Sequence, residues 1–326
     1  MKNSLQESAL KVKSVSKFSR YKGQRLTGPR FEIQYTDDLF PEALRRIPDP
    51  PQCLYAIGNV SALCEGLAVV GARKATPYGL FCASHFASRA AERGITIISG
   101  GAVGCDCAAH QAALEKSGKT VVFLGGGCDE LYPAKNRDLF QQIIDSHGVI
   151  VSELPWNHPP LPHTFRARNR LIAGLSRATL IVEAGLPSGT FSTADEALNA
   201  SKDVLAIPGS ILSRSSHGAN RLIYQGAIPI VDDEGFDDIM HSLFGLLRQE
   251  TSKDILSTKP LLTTQEELIY EFLCAQTMSI DEIIQALTSR GTPTQMSHLG
   301  REITQLEMKG LIARYPNGKY GANRLV

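Results

Sequence analysis

No run of apolar residues in this 326-residue chain approaches the roughly 18 that a bilayer-spanning helix needs. The N-terminus has no apolar stretch followed by a small-residue cleavage site. Neither a membrane span nor a secretory leader is expected, and the expected location is the cytoplasm. No CxxC pair occurs among the seven cysteines, whose number is odd and whose spacing is irregular. Cys105 and Cys107 flank Asp106 without a second pair, so reduced thiols are expected rather than a zinc site or a disulfide framework. Walker, GxSxG and HExxH sequences are also missing, which argues against P-loop, α/β-hydrolase and zincin chemistry. His110 and His147 have no obvious nucleophile partner and read as core or surface histidines. With 43% hydrophobic and 21% charged residues, the chain is neither disordered nor fibrous. Its length suits about two domains.

Net charge is only +1, but it is unevenly spread. Residues 1–30 hold eight Lys/Arg against one acid, Glu7, and read as a basic, mobile N-terminal segment. From residue 67 onward, short β-branched runs alternate with helix-like stretches. The runs are Leu67–Val70, Ile95–Ile98, Thr120–Leu124, Val149–Val151, Thr179–Val182 and Val204–Ile207. They are continuous rather than alternating, as in strands buried on both faces of a parallel sheet. An open, doubly wound α/β sheet is the expected architecture. Pro48, Pro50 and Pro51 exclude a helix in residues 31–66, which read as a lead-in packed on the sheet. The expected units are residues 31–248, a linker over 249–262 centred on Gln249–Pro260, and a small domain over 263–326. In that last domain three helices, Gln265–Cys274, Ile280–Leu287 (capped by Ser279) and Thr294–Lys309, precede two short strands around Asn317-Gly318. This order predicts a winged helix-turn-helix.

Open α/β sheets bind ligands at the carboxyl ends of their strands, so the segments that follow each run carry the functional reading. Gly71-Ala72-Arg73-Lys74-Ala75-Thr76 places Arg73 near a helix start, with Thr76 as its cap. Ser99-Gly100-Gly101-Ala102-Val103-Gly104 is a second glycine turn, and Gly125-Gly126-Gly127 a third, followed by Tyr132-Pro133. Three such turns at one sheet edge favour a long, shallow anion-binding rim. They do not form a GxGxxG fingerprint, and no acid ends the next strand to hold a ribose, so no dinucleotide or other cofactor is expected. In His163-Thr164-Phe165-Arg166-Ala167-Arg168-Asn169-Arg170, three arginines oppose a helix dipole without a neighbouring acid and call for an anionic partner. Phe165 is placed to stack on a base. Ser188-Gly189-Thr190 opens another helix with hydroxyls and amides suited to phosphate. Glu183 stands alone, as a catalytic acid or as a group that orients an arginine.

These motifs together resemble the DprA/Smf family, the DNA-processing proteins of bacterial transformation. The resemblance runs from about Tyr35 to Val231. It rests on Val70-Gly71-Ala72-Arg73 with Thr76, Tyr78 and Gly79, and on Ser99-Gly100 with Gly104, Asp106, Ala109 and His110. Tyr132-Pro133 and Asn136, Ser152-Glu153, Phe165 with Arg168-Asn169-Arg170, Ser188-Gly189-Thr190 and Pro208-Gly209 continue it. Gly101, Cys105 and Arg166 depart from that family's usual residues. The resemblance implies an extended Rossmann-like domain that binds single-stranded DNA, dimerises through that domain and loads RecA recombinase, without established catalysis. The expected DNA-binding residues are Arg73, Gly100, Gly101, Lys135, Asn136, Phe165, Arg166, Arg168, Asn169, Arg170, Ser188, Gly189 and Thr190.

Residues 31–259 hold 20 Lys/Arg and 25 acids, so a polyanion can be held only where cations are focused. Arg73, Lys135, Arg168 and Arg170 are the expected focus. The tail from 260 holds six Lys/Arg and seven acids. Gln295, Ser297, His298 and Arg301 would face a DNA groove there, a poor footprint that favours a protein contact. Two alternatives stand beside single-strand binding. One is a LOG-like nucleotide phosphoribohydrolase using Asp195 or Glu196, and the other is an adaptor acting through its winged helix.

Overall fold

The computed structural model describes residues 21–186, 189–245, 262–292, 296–315 and 318–322. Residues 1–20 of the basic segment, Ser188, most of the expected linker, Thr294-Gln295 and the Pro316-Asn317 turn lie outside the described residues.

The β-branched runs form strands β3 (Gly66–Val70), β4 (Ile97–Ser99), β5 (Thr120–Phe123), β6 (Val149–Ser152), β7 (Ser176–Ile181) and β8 (Asp203–Ala206), joined by β9 (Ile228–Pro229). All pair in parallel. The lead-in reading is corrected. Residues 31–66 do more than pack on the sheet, because β1 (Arg30–Gln34) and β2 (Cys53–Gly58) extend it, with β2 antiparallel to both β1 and β6. The three prolines are confined to the loop between them, so Leu54 to Ile57 remain free to pair, and a short helix at Glu42–Arg45 forms ahead of them where none was expected. The nine-stranded order is β1-β2-β6-β5-β4-β3-β7-β8-β9.

Both faces of the sheet are covered, which is why the central strands read as continuous apolar runs. On β3, Leu67 and Val69 pack against α2 (Pro77–Glu92) and α3 (Cys105–Glu115), with Phe236 and Met240 of α8 (Asp233–Phe244). Ala68 and Val70 face the opposite layer, built from α1 (Glu42–Arg45), α5 (Pro162–Leu175), α6 (Thr190–Asn199) and α7 (His217–Tyr224). Leu139, Phe140 and Ile143 of α4 (Arg137–Asp145) cover Val122 and Ile150. Each fully buried Leu, Ile or Phe in these layers contributes about 1.5–3 kcal/mol relative to exposure.

The tail contains the expected elements: α9 (Thr264–Ala275), α10 (Ile280–Ser289), α11 (Met296–Met308) and the antiparallel pair β10 (Ile312–Arg314) and β11 (Tyr320–Ala322). Thr263 with Glu266 and Ser279 with Glu282 form capping boxes at α9 and α10. Ile269, Leu273, Ile283, Leu299 and Leu306 make a core separate from those of the sheet. The tail packs on α2 through α9 and β11. No helix among the described residues is long and apolar enough to cross a membrane, and no cluster of His, Cys, Asp and Glu among them is placed to hold a metal.

His110 is a core residue of α3. Its Nδ1 lies 2.7 Å from Thr120 Oγ1, and that hydroxyl donates to the carbonyl of Ile97. Nδ1 therefore carries the ring proton and donates, while Nε2 is buried without a partner. Burial, reinforced by the charge of Arg168, pushes the pKa of His110 down to about 3. The unfolded chain titrates near 6.5. Between those values it binds a proton that the fold refuses, so stability is complete above about pH 6.5 and declines as pH falls towards 3. Melting temperature measured against pH is expected to fall less steeply over this window in His110→Asn than in the parent chain. Equal slopes would contradict the neutral buried ring.

Candidate nucleic-acid interface

The chain builds β3 to β6 outward in one direction. It then returns through α5 to place β7 on the other side of β3, and β8 and β9 follow. This reversal leaves a crevice at the carboxyl ends of β3 and β7, the topological switch point where open α/β sheets accept ligands. A cleft of about 590 Å³ occupies it. The loop after β3, the start of α3, Tyr132, the first turns of α5 and the start of α6 form its walls.

Phe165 is part of the wall of this cleft. Its ring centroid is 5.3 Å from that of Tyr132 in an edge-on arrangement. The Arg73 guanidinium is 5.6 Å from the same ring, and that of Arg168 is 6.0 Å away. Tyr132 is 48% exposed, and Arg73 and Arg166 are also exposed. Arg166, Asn169, Gly189 and Thr190 complete the lining from the expected set. The wall thus offers the exposed ring of Tyr132, the half-buried ring of Phe165 and two exposed guanidiniums that pair with no acid among the described residues. Tyr132 is a site residue that the sequence reading used only as part of a motif. Its neighbour Pro133 and the preceding glycine turn were the available signal.

Arg168 has a different place from the one expected. It is 5% exposed, and its Nη1 donates to the carbonyls of Gly100, at 2.8 Å, and Phe123. Burial lowers its pKa to about 10, opposed by Asp106 and reinforced by Arg73, so it stays cationic at neutral pH. Asp106 is its buried counter-charge. Burial raises that carboxyl's pKa, while Arg168 and the amides of Ala102 and Gly100 oppose the rise. Both amides donate to Asp106 Oδ2 at 3.2 Å.

The glycine turns are accordingly corrected from a phosphate cradle to a packing device. The Ser99–Asp106 turn gives its Gly100 and Ala102 amides to its own carboxylate. A Cβ on Gly100 would lie 2.5 Å from the Arg168 guanidinium, and one on Gly125 would lie 2.4 Å from the Phe165 ring. Gly101 has φ +65°, in the left-handed region, and faces Phe140. The helix start after Arg73 is occupied as well. Thr76 Oγ1 caps α2 through the amide of Gly79, and the buried Glu183 accepts from the amide of Thr76 at 2.8 Å. Glu183 therefore holds a helix start.

The remaining expected residues divide. Arg170 turns away from the cleft and pairs with Glu153, at 2.6 Å, and Asp49, at 3.1 Å. Asn136 is buried, and its Nδ2 donates to the Gly101 carbonyl and the Cys107 sulfur. Lys135 is exposed on the short turn Ala134–Asn136, outside the cleft lining. Asn169 accepts from Arg168 Nε and donates to Ser192. Ser188 lies outside the described residues. Arg170 and Lys135 thus do not join the cationic focus; Arg166 does. Asp195 and Glu196 line no part of the cleft, and Glu196 faces a separate cavity beside Arg170.

A doubly wound Rossmann-like sheet, extended by two antiparallel strands and open at its switch point to a cleft of aromatic rings and free guanidiniums, defines a ligand-binding α/β protein. The model of the family described as DNA recombination-mediator protein A matches residues 32–243, and the chain belongs to that family. Protein Smf of Escherichia coli (strain K12) is 34% identical over 88% of this chain and 76% of its own. The X-ray structure of DNA processing protein A from Streptococcus pneumoniae has a TM-score of 0.60 at 34% identity, over 72% of this chain and 78% of that one. DNA processing protein A from Helicobacter pylori, solved for its single-stranded DNA binding mode, also has a TM-score of 0.60, at 30% identity. It aligns over 68% of this chain and 99% of that one.

Proposed function

We propose that this chain binds single-stranded DNA in the cleft without regard to sequence, protects incoming strands and loads RecA recombinase onto them during transformation and recombination. The observation that carries the reading is the Phe165–Tyr132 pair with Arg73 beside it and Arg166 in the same cleft lining, neither arginine ion-paired among the described residues. Aromatic faces stack any base, exposed guanidiniums neutralise phosphates, and neither selects a sequence. The family's description as a recombination mediator and the single-stranded DNA binding of the H. pylori relative support the same direction. No step of bond making is assigned to the cleft. The hydrolase alternative loses its acids, because Asp195 and Glu196 are not in it.

The unit that binds is residues 31–248. The same unit is proposed to dimerise. Ile211, Leu212, Tyr224 and Val231 are 72–89% exposed between β8 and α8, beside the edge strand β9. Exposed large apolar side chains in this stretch, next to a sheet edge, suit a protein partner.

Binding measured with single- and double-stranded oligonucleotides at two salt concentrations tests the proposal. The expected result is a clear preference for the single strand, with log affinity falling about 0.7 per log salt for each phosphate neutralised. The chain is expected to run as a dimer in light scattering of the same sample. Equal affinity for duplex would sink single-strand recognition, and a monomer would sink the dimer.

A further inference from the structure

We propose that the basic N-terminal segment is a second arm of the DNA surface, and that a strand longer than the cleft passes from Tyr132 over Lys135 and Lys22 onto residues 1–20. The inference rests on the cleft reading. It begins from the charge that the sequence concentrates in this segment. Residues 1–20 hold Lys2, Lys11, Lys13, Lys17 and Arg20 against one acid, Glu7, in a chain whose other residues carry more acids than bases. A run of this kind calls for an anion.

The fold fixes where that charge is delivered. Residues 21–29 form a strap that runs along α4 in the direction of the helix. The guanidinium of Arg137, the first residue of α4, donates to the carbonyls of Gln24 and Arg25. Thr27 and Gln141, one turn further on, are joined by two hydrogen bonds of 3.0 Å. Gly28 lies against Ile144, where a Cβ would come within 2.8 Å of its Cγ2. Leu26, 3% exposed, fixes the strap in the core that covers Val122 and Ile150. Because α4 follows β5, its first residues lie at the carboxyl edge of the sheet. The strap therefore starts at the edge that carries the cleft, and the chain preceding Tyr21 joins it there. The amide of Tyr21 donates to Glu130 Oε2 at 2.9 Å. Glu130 is two residues from Tyr132 of the cleft wall, a chain reach of at most about 7 Å.

Lys135, which lies outside the cleft lining, stands on this path. It is exposed on the short turn that follows Tyr132-Pro133, and Lys22 is exposed beside Tyr21. Neither lysine is ion-paired among the described residues. The acids nearby are already engaged. Asp129 pairs with Arg30 and Arg25, and Asp138 pairs with Arg137 at 3.1 Å. Glu130 is buried and holds the Tyr21 amide. A strand that leaves the cleft past Tyr132 thus meets lysines whose charge is unopposed, and its phosphates supply the anion that the segment calls for. An anionic lipid surface would answer the same charge. The anchoring of Tyr21 beside the cleft wall favours a strand already held there.

Binding of the full chain to fluorescent oligothymidylates of about six and about twenty nucleotides tests the arm. A fourfold variant combines Lys11→Gln, Lys13→Gln, Lys17→Gln and Arg20→Gln. It is expected to bind the longer oligomer about tenfold or more weakly, with a salt slope reduced by up to about 2.8, or about 0.7 for each phosphate released. Its affinity for the shorter oligomer is expected to stay within about twofold of the parent. Lys135→Gln is expected to reduce the slope for the longer oligomer by about 0.7, and an unchanged slope overturns the stated path. Phe165→Ala is expected to weaken both lengths. Unchanged affinity of the fourfold variant for the longer oligomer overturns the inference, as does an equal loss at both lengths. If Phe165→Ala weakens both lengths while the fourfold variant is silent, only the arm falls. If Phe165→Ala is silent at both lengths, the cleft reading fails, and the shared track fails with it. Sedimentation with vesicles of phosphatidylglycerol and phosphatidylcholine addresses the lipid alternative. Vesicle binding that the fourfold variant loses, at unchanged affinity for the longer oligomer, assigns the segment to a lipid surface and overturns the inference.

Discussion

Arg168→Ala is expected to lower the melting temperature by roughly 10 °C. Removing the guanidinium leaves Asp106 as a buried charge without its counter-ion, and leaves the carbonyls of Gly100 and Phe123 without their donor. Breaking one side of such a pair costs about 3–5 kcal/mol, and each kcal/mol shifts the midpoint by about 2–4 °C in a domain of this size. The Gly100 and Ala102 amides bind the same carboxylate, so the turn that shapes one wall of the cleft loosens with it. DNA affinity is expected to fall as a consequence of that loss of order. Asp106→Asn in the Arg168→Ala background removes the orphaned charge and is expected to recover part of the loss. Calorimetry of the three variants checks this. Weakened DNA binding at an unchanged melting temperature would return Arg168 to direct phosphate contact.

Phe165→Ala is expected to weaken single-strand binding about 10- to 100-fold, equally for all base compositions, without altering the salt slope. The ring is the one aromatic surface in the cleft contacted by Tyr132 and flanked by both Arg73 and Arg168. A stacked base is worth about 1–3 kcal/mol, and a neutral ring releases no counter-ions. Arg73→Ala is expected to do the converse, reducing the slope by about 0.7 with a smaller loss of affinity. Phe165→Trp keeps a stacking face and is expected to bind within a few-fold of the parent. Titrations of these variants at two salt concentrations separate the two roles. An affinity for Phe165→Ala equal to that of the parent removes the ring from the contact.

Much of the architecture was legible in the sequence because its signals are local. Continuous β-branched runs mark strands covered on both faces. Thr76 and Ser279 mark helix starts, and Asn317-Gly318 stands between the two strands of the hairpin. β1 and β2 were missed because nearby prolines masked a short antiparallel pair whose partner, β6, lies about a hundred residues away. Of the site, Phe165, Arg73 and Arg166 could be named from sequence, since an unopposed cation near a helix start or a sheet edge asks for an anion.

The division of labour among the arginines could not be read that way. Arg166, Arg168 and Arg170 are two residues apart on one helix and look alike in sequence. Helical rotation sends them to three environments: open solvent at the cleft, a buried carboxylate with two carbonyls, and a surface pair of acids. The same holds for the glycines, whose reason for being there is the side chain that the fold presses against them. Sequence alone determined that this protein would build an open α/β sheet with a cationic, aromatic edge. Which of those cations stays free for a ligand was decided only by the tertiary structure, because a charge is spent or available according to what packs beside it in space.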